Sequence, residues 1–144
     1  MADSPITIDG LDQVRRLLGG VPTRILHNAI ERALDAAAVP VAQELTSRTP
    51  EVTGDLKNHL VTVVAVNEDA KEGTAQVGFG SEGYIARLVE LGHRDVGHKP
   101  DKKELALGMV SPHPFMRPAA DAAKEAAIQA FADSLTESIS EGTL

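Results

Sequence analysis

The side chains best placed to do chemistry are five histidines and a set of scattered carboxylates. Cysteine is absent, which excludes thiolate nucleophiles, thiolate metal sites and disulfides. The densest grouping is Glu90, His93, Asp95 and His98, with His113 further along. Glu90 beside His93 has the composition of an acid–base pair. With His113 added, the set is the one that a small metal-dependent α+β enzyme would use. The spacing argues against both. A five-residue step from His93 to His98 does not align two ligands on a helix face, no HExxH occurs, and no nucleophile or second matched carboxylate stands nearby. The plainer reading is of solvated loop histidines and a partly exposed carboxylate at the end of an element. Gly78-Phe79-Gly80 with Gly83 could cradle a phosphate, but glycines at a strand end more simply mark a turn or bulge. Thr53-Gly54-Asp55-Leu56 reads as a turn in which Gly54 permits positive φ and Thr53 or Asp55 bonds local backbone. No nucleophile elbow, Walker loop or dinucleotide fingerprint is present. No catalytic, cofactor-binding or metal-ligating residues, and no cofactor, are therefore expected.

The elements that would position these residues follow from periodicity. Ile6-Thr7-Ile8-Asp9-Gly10 and Leu11–Leu18 read as an arm and a short helix over 5–20. From 22 to 48 the apolar residues Ile25, Leu26, Ala29, Ile30, Ala33 and Leu34 begin a three-and-four spacing that continues to Leu45, one buried helical face. Pro40 is expected to kink or divide that helix. Leu60–Val66 is β-branched, and Thr74–Phe79 follows a short polar loop, so the two predict an antiparallel hairpin in a sheet region over 60–92. Ile85–Leu91 fits a helix or a strand, and 93–110 reads as a polar loop that orders on assembly.

Residues 111–140 combine a strap with a helix. Pro112, Pro114 and Pro118 surround Phe115 and Met116, so the segment cannot be ordinary helix or central strand. Pro118 suits the first turn of a helix. Phe115 and Met116 are expected to be anchored in the subunit core or against a neighbour. Ala122, Ala123, Ala126, Ala127, Phe131 and Leu135 then trace a stripe that continues to Ile139. The whole predicts one domain over 1–144, of the α+β class. A small antiparallel sheet packs against a long helix in the N-terminal half and a C-terminal helix.

Composition narrows the partners. The net charge is −7 and no segment is a basic patch, which disfavours tight nucleic-acid binding. No apolar run approaches a membrane span, and Met1–Pro5 lacks the pattern of a signal peptide, so synthesis in a cytoplasm is expected. A peptide-binding adaptor using a sheet edge is a further class open to such a chain.

Three motifs, taken in order, resemble the HK97 gp10-like family of tailed-phage tail or neck components. They are Thr49-Pro50-Glu51-Val52-Thr53-Gly54-Asp55-Leu56-Lys57, Tyr84-Ile85-Ala86-Arg87-Leu88-Val89-Glu90-Leu91-Gly92-His93, and Pro112-His113-Pro114-Phe115-Met116-Arg117-Pro118-Ala119. The positions carrying the likeness are Pro50, Thr53, Gly54, Leu56, Tyr84, Glu90, Gly92, His93, Pro114, Phe115, Arg117 and Pro118. Leu91 stands where the family usually has Phe, and His93 where Thr is common. The resemblance extends over about residues 5–140. It implies a virion structural protein that is not an enzyme, acting at the head–tail junction or tail end as a tail-completion, terminator or joining protein. It also implies a homo-oligomeric ring, commonly hexameric, among other neck or tail proteins. An acidic lumen in such a ring would let DNA pass without adhering.

Overall fold

The computed structural model describes residues 19–51, 55–70, 72–96 and 106–142. The expected arm and short helix, up to residue 18, and the turn residues Thr53 and Gly54 lie outside them. The order is α1 (Thr23–Arg48), α2 (Asp55–Asn58), β1 (Leu60–Val66), β2 (Gly73–Phe79), α3 (Gly83–Leu91), β3 (His93–Val96), β4 (Ala106–Val110) and α4 (Met116–Gly142). The chain is α+β, as the patterning predicts.

Helix α1 is 26 residues long, or about 39 Å. The Pro22 carbonyl accepts from the N–H groups of Ile25 and Leu26 at 2.9 and 3.0 Å and starts the ladder. Pro40 does not divide the helix. A proline costs a free helix about 3 kcal/mol. Here α1 packs on both α4 and the β1–β2 hairpin, and that burial offsets the loss. The helix stops at buried Thr49, whose N–H and Oγ1 both donate to the Leu45 carbonyl, at 2.9 and 2.6 Å. Pro50 follows and cannot extend it.

Strands β1 and β2 pair antiparallel from Leu60↔Phe79 to Val66↔Gly73. The connecting loop is closed by Asn67, which donates its N–H to the Glu72 carbonyl and accepts the Glu72 N–H on Oδ1, both at 3.0 Å. The hairpin lies along α1 closely enough that a Cβ on Gly73 would come within 2.8 Å of Leu34 Cδ1 and 3.2 Å of Ile30 Cγ2.

The segment 93–110, read from sequence as a loop, instead carries a second hairpin. His93 pairs with Val110, Arg94 with Met109 and Val96 with Ala106, with an irregularity between Arg94 and Val96. β3 is short and polar, β4 is a short apolar run broken by Gly108, and their register is irregular, so neither carries the alternation that periodicity detects. There are thus two two-stranded antiparallel sheets among the described residues, β1–β2 and β3–β4.

Helix α4 runs antiparallel to α1. Gly142 at its end approaches Ile25 near the start of α1, and Met116 at its start shares a crevice with Val41 and Leu45. Ala29 and Ala33 on α1, and Ala119 and Ala123 on α4, are buried small residues that let long helices approach. The stripe predicted for α4 is partly displaced. Ala122 and Ala126 are exposed, while Ala127, Phe131, Leu135 and Ile139 are half-buried. Leu45, Leu56, Phe79, Ala86, Phe115 and Ala119 form the core cluster, drawn from five elements and the strap.

Candidate functional site: a carboxylate clamp between strap and helix

Helix α4 begins at Met116 with Phe115 before it, a residue with no side-chain oxygen to cap the exposed N–H groups of a first turn. The cap comes from another element. Glu90, at the end of α3, accepts the N–H of Phe115 at 2.6 Å and of Met116 at 2.9 Å on Oε2, and that of Arg117 at 3.2 Å on Oε1. A negative charge at a helix N-terminus also opposes the positive end of the macrodipole. Glu90 is 9% exposed. The plain reading of it as a partly exposed carboxylate is therefore corrected. Burial by itself raises its pKa. The backbone bonds from Met116, Phe115 and Arg117, with the Arg117 guanidinium, outweigh that and hold it below the usual glutamate range.

The strap is docked along its length. The His113 N–H donates to the Val89 carbonyl at 2.8 Å, and the Ala119 N–H to the Phe115 carbonyl at 3.1 Å. From 112 to 119 every backbone N–H therefore has an acceptor, and the three residues with no N–H to place are prolines. Gly92 completes the dock. Its φ is +71°, and a Cβ there would lie 2.5 Å from the Val110 carbonyl oxygen and 2.9 Å from Pro112 N. Both the conformation and the closeness of the strap require glycine.

Phe115 enters the core of its own subunit, 4% exposed, with its ring centroid 5.9 Å from that of Phe79 at an interplanar angle of 57°. Met116 packs at the edge of the same cluster. Of the other motif residues, Leu56 is buried in that cluster, Pro50 and Pro118 are half-buried, and Tyr84, Pro114 and Arg117 are exposed. Lys57 Nζ pairs with Glu51 Oε1 at 2.8 Å, spanning the first motif.

Residues of all three motif regions line one apolar cavity of about 390 Å³, among them Pro50, Leu56, Val89, His93 and His113. The buried Nδ1 of His93 has no hydrogen-bond partner. Glu90 is committed to three backbone groups, so the Glu90–His93–His113 set does not offer a shared metal or acid–base centre. No group of three or more metal-ligating side chains is found among the described residues. The role of Glu90 is the feature that sequence reasoning missed. A helix opening on Pro-Phe-Met-Arg-Pro with no Ser, Thr, Asp or Asn before it was the available signal, since such a helix must borrow its cap.

The family model described as "Bacteriophage HK97-gp10, putative tail-component" matches residues 12–92, more than half of the chain. That span takes in the first motif and the second as far as Gly92, where the clamp begins to hold the strap. It is shorter than the span the three motifs suggest. No curated protein and no solved structure matches the chain. The chain belongs to the HK97-gp10 family of bacteriophage tail components.

Proposed function

We propose that this protein is a ring-forming structural subunit at the head–tail junction or tail end of a phage or prophage, acting as a tail-completion, terminator or joining protein. The observation that carries the reading is the family match over residues 12–92 together with the use made of the motif side chains. Glu90, Gly92 and Phe115 are spent on holding α4 to α3, a structural task, and none is left presented to a substrate. In this reading residues 1–144 act as one domain. The partners are further copies in a closed ring, six by the family resemblance, and neighbouring tail or neck proteins. The net charge of −7 favours passage of DNA through the lumen without adhesion. The protein is made in the host cytoplasm and built into the virion.

Electron microscopy of particles from a phage lacking the gene tests the role. Separate full heads and finished tails are expected for a joining protein, and overlong tails for a terminator. Normal infectious virions would contradict the proposal.

A further inference from the structure

Two surfaces outside the clamp are left apolar. The first is on α3. Tyr84, Leu88 and Leu91 recur at i, i+4 and i+7 on the face opposite buried Ala86 and Glu90, and all three are exposed. The patch continues across Gly92, which touches the Val110 carbonyl, onto exposed Val110 and Met109, the latter 76% exposed. Arg87 and Arg94 are exposed at this patch and make no ion pair among the described residues.

The second surface is β1. Its pairing is with β2, and its other edge has no strand beside it among the described residues. Leu60–Val66 contains no charge and no proline, and its pairing with β2 has no bulge. Natural proteins guard free edges with those devices. Thr62 is exposed on the face of the strand turned toward α1, while exposed Val61 and Val63 lie on its other face. Between this strand and α1 runs an open cleft of about 670 Å³, lined by Asp35, Ala38, Val39, Ala42 and Thr62 among others. The cleft is apolar with an acidic group in its wall, whereas the α3 patch is apolar with a basic rim.

We propose that the Tyr84–Leu88–Leu91 face of α3, with Met109 and Val110, docks onto the α1–β1 cleft of a second copy of this chain. Arg87 or Arg94 then meets Asp35. The inference rests on the ring reading and names its surfaces. Charge complementarity favours a second copy, because each subunit carries both halves of the match. The halves sit on different elements, and the free edge of β1 faces away from β2, the strand against which α3 packs. Contact between unlike surfaces is heterologous and propagates head to tail until it closes. A disc of like surfaces would need the same patch to meet itself.

The absence of cysteine makes the test direct. A Val39→Cys/Leu88→Cys double variant of the full chain, treated with a short bis-maleimide, is expected to give a ladder of covalent multimers. Each single variant is expected to stay monomeric on the same denaturing gel. Light scattering on the untreated protein separates the two levels of the claim. Oligomers in solution with no ladder from the double variant would overturn these surfaces and leave the ring reading standing. Covalent dimers from either single variant would overturn the head-to-tail arrangement. A chain that stays monomeric at every concentration, without a ladder, would overturn both. Val39→Lys adds a check of folding: Val39 lines the cleft and is 52% exposed, so the change is expected to abolish the oligomer while leaving the circular dichroism and thermal midpoint of the subunit unchanged.

Discussion

Removing the Glu90 side chain would leave the N–H groups of Phe115, Met116 and Arg117 without their acceptor in a buried place. Glu90→Ala is expected to cost about 2–3 kcal/mol in chemical denaturation, and Glu90→Gln less, since an amide oxygen still accepts. The pH dependence has a definite sign. The folded pKa of Glu90 is depressed, so its stabilisation is complete above the unfolded value of about 4.3 and is lost as pH falls through the lower folded value. The gap in stability between the natural chain and Glu90→Gln should therefore be widest near neutrality and shrink on acidification below about pH 4. A gap that held constant across that range would show that the charge does not matter. Gly92 supports the same joint from the other side. Gly92→Ala meets both a positive φ and the Val110 carbonyl, and is expected to lower stability by about 2–4 kcal/mol. Equal thermal midpoints for the variant and the natural chain would contradict the close approach of the strap.

At the level of elements, the long helices were legible because α1 keeps its apolar residues at three-and-four spacing from Ile25 to Leu45, more than five turns, and α4 follows a proline strap. The β1–β2 hairpin was legible because β-branched residues fill Leu60–Val66 and a polar loop too short for a crossover follows. What stayed hidden has physical causes. Pro40 breaks a helix only when nothing else holds it, and propensity cannot weigh the packing of α1 on two neighbours. The β3–β4 hairpin lacks the alternation that marks a strand. The site was half visible: Phe115 could be read as an anchor, but the reach of Glu90 across 25 residues of sequence to cap α4 is a tertiary contact with no local signature. The α1–α4 pair offers its own test. Ala33 is fully buried, so Ala33→Leu is expected to overpack the interior and cost about 1–3 kcal/mol, read from the denaturation midpoint. A neutral or stabilising result would mean that the helices are held less closely than described.

Taken whole, the molecule uses Leu56, Glu90, Gly92 and Phe115 to hold its own parts together, and it leaves Tyr84, Leu88 and Leu91 of the second motif exposed. The clamp locks the strap to α3, and α3 in turn carries the exposed Tyr84–Leu88–Leu91 face. A change at Glu90 or Gly92 should therefore impair assembly through the fold, whereas a change at Leu88 or Val39 should impair assembly and leave the fold intact. This separation is what a small structural subunit needs, since its neighbours must find it rigid. The central claim is that the chain is a ring component of the virion. A cryo-electron microscopy reconstruction of purified virions tests it most directly. It is predicted to show this chain as a closed ring at the head–tail junction or the tail end, with its paired α1 and α4 helices of about 40 Å resolved in each subunit. Virions whose junction and tail ends are fully accounted for by other chains would contradict it.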